Sequence, residues 1–158
     1  MIKLFALDVD GTLTDGNVYM DGEGNELKQF NLQDGQGIVR LLNSGVKVVF
    51  ISGRYSKATE RRAEGLKITR CINGTREKLH ELKALVSEWG IAPEEIAYAG
   101  DDLPDMECIE WAGLGIAVAN AVPEVISAAD IVTDRSGGAG AVREIAEHIL
   151  KINSGEKN

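Results

Sequence analysis

Four short stretches of this 158-residue chain carry residues fit for chemistry: Asp8-Val9-Asp10-Gly11-Thr12, Ser52-Gly53-Arg54, Lys78 and Gly100-Asp101-Asp102. Taken singly, each has an ordinary explanation. An acidic pair after a strand is usually a turn or a helix cap, a Ser-Gly pair a turn, a lysine a solvated charge. Gathered in one place, they are what hydrolysis of a phosphate monoester requires: a nucleophile, a proton for the leaving alkoxide and positive charge against the transferring group. Asp8 fits the nucleophile, forming an aspartyl-phosphate that water later cleaves. Asp10, two residues on, falls on the same side of an extended backbone and can protonate the departing oxygen, then deprotonate the water. Ser52 offers a hydroxyl to a phosphate oxygen, Lys78 offers fixed charge, and Gly11 lets the backbone pass close to the phosphate. Mg²⁺ prefers hard oxygen ligands. Asp8, Asp101 and Asp10, the last through its backbone carbonyl, are the candidate ligands, and the ion would draw nucleophile and phosphoryl group together.

Whether the four stretches share one place depends on the fold. Ile2–Leu7 is apolar enough for a buried central strand, and the β-branched run Val46–Ile51 for a second. Between them, Asn17–Met20 and Glu26–Phe30 flank the Gly-containing turn Asp21–Asn25, which predicts a β-hairpin over about 17–31. The remaining pattern alternates: helices over Asp34–Ser44, Ser56–Gly65, Arg76–Trp89, Pro104–Ala112, Pro123–Ala128 and Gly140–Ile152, with strands over Ile68–Ile72, Ile96–Ala99, Gly115–Val118 and Ile131–Val132. Repeated β–α alternation predicts an α/β fold, a doubly wound, mainly parallel sheet with helices on both faces. In such sheets ligands bind beyond the carboxyl ends of the strands. The first, second and fourth stretches each follow a strand directly, and Lys78 opens a helix near the same rim.

Composition narrows the partners. The length suits one domain over 1–158, with no repeat or Pro/Ser linker to divide it. Seventeen Lys+Arg against 25 Asp+Glu give a net charge of −8, which disfavours nucleic acid or an anionic membrane as partner. The N-terminal apolar run is too short for a signal peptide or a membrane helix, so the expected location is cytoplasmic. Cys71 and Cys108 form no CxxC pair, and two histidines cannot build a histidine-rich metal site.

Asp8–Leu13, Ser52, Lys78 and Gly100-Asp101-Asp102-Leu103-Pro104-Asp105 together resemble the four motifs of the haloacid dehalogenase superfamily. The resemblance implies the roles given above for Asp8, Asp10, Ser52, Lys78 and Asp101, and Mg²⁺ as cofactor. An acid at Asp10 is what phosphatases and phosphomutases of that superfamily carry. Only the hairpin follows the first motif, and the span from Ser52 to Lys78 leaves room for one helix and one strand, so the chain is similar to the capless type, with a Rossmann-like core and no cap domain. Asp15-Gly16, Tyr19-Met20, Glu26-Leu27-Lys28, Phe30-Asn31, Asp34-Gly35, Gly37-Ile38, Gly53-Arg54 and Gly140–Glu144 narrow the likeness to the phosphatases of 3-deoxy-D-manno-octulosonate 8-phosphate (KDO 8-phosphate), a precursor of lipopolysaccharide sugar.

That family implies a small phosphorylated sugar acid as substrate and a homotetramer whose hairpins pack together and whose neighbours close each site. Arg54 and Arg62 are candidates for holding the sugar acid, with Gly53 and Thr12 grouped beside them. Relatives acting on a nine-carbon keto sugar acid 9-phosphate carry glutamate where this chain has Arg54. Where the family's tail reads Gly-Gly-Arg-Gly, this chain has Gly137-Gly138-Ala139-Gly140. Two other readings compete: a catalytically silent phosphatase-like scaffold, against which the full acidic set argues, and a response-regulator receiver, which would carry its acceptor aspartate on a later strand.

Overall fold

The computed structural model describes residues 1–155. Its centre is β1 (Leu4–Leu7), four residues buried on both faces, as an all-apolar run between two helix layers must be. After the hairpin strands β2 (Tyr19–Met20) and β3 (Glu26–Leu27), helices and strands alternate: α1 (Leu32–Asn43), β4 (Lys47–Ser52), α2 (Lys57–Leu66), β5 (Arg70–Asn73), α3 (Lys78–Trp89), β6 (Ile96–Gly100), α4 (Met106–Trp111), β7 (Leu114–Ala117), α5 (Pro123–Ala128), β8 (Ile131–Val132) and α6 (Ala141–Ser154). Six strands form one sheet in the order β5-β4-β1-β6-β7-β8, every pair parallel. The chain leaves β1 toward β4 and later returns to β6 on the other side of β1. Strand order therefore reverses at the β1/β6 boundary, where an open parallel sheet leaves a crevice at its carboxyl edge. Helices α1, α2 and α6 pack among themselves, as do α3, α4 and α5, giving the two layers of a doubly wound sheet.

The predicted elements are all present, and their edges move for local reasons. Helix α1 starts at Leu32 rather than Asp34 because Asn31 Oδ1 accepts the Asp34 N–H at 3.1 Å and caps the first turn. Ser56 does the same for α2 through the Thr59 N–H, at 3.4 Å. The helix expected over Pro104–Ala112 is a 3₁₀ turn, Leu103–Asp105, followed by a shorter α4, because Asp105 accepts the N–H groups of Asp101 and Asp102 just before the turn and Asp102 accepts that of Leu103. The hairpin strands are two residues each, shorter than expected. Asp21 closes their turn by accepting N–H groups from Glu23 and Asn25 at 2.8 and 2.9 Å. No inserted domain interrupts the described residues, and none of their helices is long and apolar enough to cross a membrane.

Two contacts fix the last helix on the first. Asp34, fully buried in α1, accepts the Arg143 N–H at 3.0 Å and so caps α6 from outside its own chain segment. Gly37 brings α1 close: a Cβ there would lie 3.1 Å from both Ala146 Cβ and Arg143 Cα. Gly65 in α2 has nothing within 4 Å of the equivalent position. The two glycines therefore predict opposite outcomes. Gly37→Leu overpacks the α1–α6 contact and is expected to cost about 2 kcal/mol, whereas Gly65→Ala is expected to add about 0.5 kcal/mol by helix propensity. Chemical denaturation of the two variants checks both signs.

Candidate active site

The carboxyl ends of β1 and β6 bring Asp8 and Asp101 face to face. Asp8 follows the last residue of β1, and its N–H donates to the Ala99 carbonyl of β6 at 3.0 Å, so the nucleophile candidate is pinned by the sheet itself. The Asp8 side chain is nearly buried, and Lys78, the first residue of α3, reaches it with Nζ at 2.7 Å from Oδ1. The same ammonium lies 2.8 Å from Asp105 Oδ1. Gly11 makes the approach possible: its φ is +91°, and a Cβ would stand 2.1 Å from Asp101 Oδ2. Asp8, Asp10, Gly53, Arg54, Lys78, Asp101 and Asp105 line one cleft of about 310 Å³.

The electrostatics follow from burial. Desolvation first, then the nearby Asp105 charge, raise the Asp8 carboxyl well above the usual 3.8, against the pull of Lys78. Burial likewise raises Asp101. Burial alone would discharge Lys78, but Asp8 and Asp105 more than offset it and hold the ammonium protonated.

The chain matches a family model described as haloacid dehalogenase-like hydrolase over residues 71–145. It is 47% identical over 149 residues to the KDO 8-phosphate phosphatase KdsC of Escherichia coli K12, covering 94% of this chain and 79% of that one. The chain belongs to the KDO 8-phosphate phosphatase family of haloacid dehalogenase-like hydrolases. Among solved structures, the Moraxella catarrhalis KDO 8-phosphate phosphatase, in complex with magnesium, phosphate and KDO, is 45% identical with a TM-score of 0.93, over 95% of this chain and 86% of that one. The Yersinia pestis enzyme is 42% identical, TM-score 0.95, over 97% and 83%. A cobalt-bound form from Haemophilus influenzae is 37% identical, TM-score 0.93, over 97% and 90%.

Within this family frame, a magnesium site fits the donor set. Carboxylate oxygens of Asp8, Asp101 and Asp105 lie within 4.8 Å of one another. Asp105 is already saturated: Oδ1 accepts from Lys78 Nζ and the Tyr98 hydroxyl, and Oδ2 from the N–H groups of Asp101 and Asp102, at 2.7 to 3.3 Å. Four donors fill the acceptor capacity of a carboxylate. Asp8 and Asp101 keep free oxygens, and their raised affinity for protons marks charge that a hard cation would neutralise. The Asp10 carboxylate also lines the cleft but is not one of these three; its Oδ1 lies 2.7 Å from Lys28 Nζ.

Several expected residues sit differently from the sequence reading. Thr12, grouped with the substrate contacts, is fully buried and donates its hydroxyl to Asp101 Oδ1 at 3.0 Å, so it orients a ligand candidate. Ser52 is buried at the end of β4 with its hydroxyl on the Arg54 carbonyl, 2.8 Å away. Arg54 reaches the cleft, but its guanidinium pairs with both oxygens of Glu26 from the hairpin. Arg62 lies away from the cleft, 5.4 Å over the Phe30 ring, with its Nη2 3.5 Å from the Asn31 carbonyl. Tyr98 and Asn120 have no counterpart in the sequence reading. Asn120 ties the Asp8–Thr12 loop to the glycine tail, donating to the Gly11 carbonyl at 2.9 Å and accepting from Gly137 N–H at 2.7 Å. No local pattern signals either residue: Tyr98 looks like core in a buried strand, and Asn120 acts on groups 109 and 17 residues away.

A group whose carboxyl pKa is raised by folding stabilises the fold below its unfolded value and loses that contribution as pH rises through the folded value. In metal-free protein Asp101 is such a group. Asp101→Asn is therefore expected to melt at a higher temperature than wild type in chelator at pH 8, with the gain shrinking toward pH 4. The same variant loses the stabilisation that Mg²⁺ gives wild type. Thermal melts across pH, with and without Mg²⁺, check both.

Proposed function

We propose that the chain hydrolyses KDO 8-phosphate through a phospho-Asp8 intermediate, with Mg²⁺ as cofactor. The observation that carries this reading is the Asp8–Lys78–Asp105 ion triad at the β1/β6 reversal, with Asp101 opposite, in a chain 47% identical to a KDO 8-phosphate phosphatase. Asp8 and Asp101 would hold the ion, and it would supply positive charge against the transferring phosphoryl group.

The residues divide the work as follows. Asp8 attacks phosphorus as the ester oxygen departs, and Asp10 gives that oxygen its proton. Asp10 then takes a proton from water as the water's oxygen attacks phosphorus, and inorganic phosphate leaves with Asp8 regenerated. Lys78 holds Asp8 in line and presents charge to the transferring group. Asp105, fixed by Tyr98, holds Lys78 and the Asp101 turn. Ser52 meets a phosphate oxygen by turning its hydroxyl from the Arg54 carbonyl. The substrate's carboxylate has the right charge to replace Glu26 on Arg54, and Gly53 gives that end of the cleft room.

The assembly belongs to the same proposal. Tyr19, Met20 and Leu27 of the hairpin are exposed by 51, 65 and 67%, an apolar face that self-association into a homotetramer would cover. A cytoplasmic location is consistent with a diffusible phosphorylated substrate. Phosphate release from a panel containing KDO 8-phosphate, its nine-carbon keto acid relative and simple sugar phosphates, with and without Mg²⁺, tests the reading. A Mg²⁺-dependent preference for KDO 8-phosphate is expected. Preference for the nine-carbon compound moves the substrate, and no release from any compound replaces the enzyme with a silent scaffold. Light scattering on the same sample is expected to give the mass of four chains.

A further inference from the structure

Lys28 stands just past β3 on the hairpin, two residues after Glu26, so both side chains leave the same face of the strand. That face is turned toward the cleft. The Lys28 side chain is fully buried, an unusual place for an ammonium group on an exposed hairpin. Three groups surround its Nζ: Asp10 Oδ1 at 2.7 Å, Thr59 Oγ1 at 3.2 Å and Glu26 Oε1 at 3.9 Å. The Asp10 contact is an ion pair whose angle is not that of a hydrogen bond. Asp10 Oδ1 is sealed from solvent and has no hydrogen-bond donor, while 26% of the side chain stays open on the cleft.

We infer that Lys28 is a positioning residue for Asp10: it fixes one carboxyl oxygen in the wall so that the other, which carries the proton delivered in the first step, faces the leaving group. An anchor for the hairpin alone would not need this group, because a buried ion pair is often no more stabilising than an apolar contact of the same shape. What an ammonium adds is direction. It specifies a single orientation for the carboxylate that must meet both the departing oxygen and the incoming water. Thr59, fully buried in α2, and Glu26, itself braced by Arg54, hold the ammonium from the other sides. The end of the hairpin's return strand thereby reaches into the chemistry. This inference rests on Asp10 being the acid and base of the proposed reaction.

The test compares kcat/KM for phenyl phosphate and p-nitrophenyl phosphate, which differ in how much the leaving oxygen needs a proton and carry no carboxylate for Arg54. Asp10→Asn calibrates it: a loss far larger on phenyl phosphate is expected, and equal losses would remove the acid role of Asp10 itself. Given that calibration, Lys28→Met is expected to lose about tenfold more on phenyl than on p-nitrophenyl phosphate, since misplacing a catalytic group by about 1 Å can cost ~100-fold. Equal losses on both esters, or no loss, would overturn the role of Lys28 while leaving that of Asp10 in place. Thr59→Val keeps the shape and the lysine charge and removes only the hydroxyl at 3.2 Å. It is expected to show the same selective loss at about two- to fivefold, and a uniform effect there would overturn the inference even if Lys28→Met does not fold.

Discussion

Lys78 carries its charge to a point where water hardly reaches, between the carboxylates of Asp8 and Asp105, and most of the site is arranged around that fact. A buried ammonium is tolerable only when paired with opposite charge. Asp8 and Asp105 meet that demand. In return the lysine pulls Asp8 toward the charged form, against burial and the Asp105 charge, which together hold its carboxyl well above the usual range. Asp105 then needs its own support, which comes from the Tyr98 hydroxyl and from the N–H groups of Asp101 and Asp102. One charge thus orders Asp8, the opposite carboxylate of Asp101 and the turn after β6.

The sheet makes this arrangement inexpensive to hold. Asp8 and Asp101 stand at the ends of adjacent buried strands in fixed register, Leu7 opposite Ala99, so their separation is set by the ladder. Backbone contacts too close for side chains complete the frame. Gly11 passes Asp101, and Gly137 passes the Gly11 carbonyl, where a Cβ would stand 2.1 Å away. Asn120 stitches the same two segments. The family's tail glycines are therefore packing elements here. Ala139, the departure from the tail that the resemblance implies, is exposed beside them.

Much of this was legible in the sequence. Apolar runs ending in Asp8, Ser52 and Gly100 gave the strands and their active rim, because burial on both faces demands such runs and the fold places their ends together. Residue type and position mark Asp8, Asp10, Ser52, Lys78 and Asp101 as candidates, and the fold sets Asp8, Asp10, Lys78 and Asp101 on one cleft. The rest is tertiary. Nothing near Tyr98 signals that its hydroxyl meets Asp105, since a tyrosine in a buried strand looks like core. Thr12 and Arg54 were read as open to substrate, but Asp101 and Glu26 engage them. Lys28 sits in a hairpin that reads as surface, and only the packing of that hairpin over α2 buries it. Charges that neutralise one another across 18 to 70 residues leave no local pattern.

The central claim is a covalent bond from phosphorus to Asp8. It is tested most directly by mixing enzyme, Mg²⁺ and KDO 8-phosphate, quenching in acid within the first turnover, and reducing with borohydride, which converts an aspartyl-phosphate to homoserine. Peptide mass spectrometry is expected to place homoserine at position 8. Turnover with position 8 unreduced and phosphoryl on another side chain would contradict the assignment.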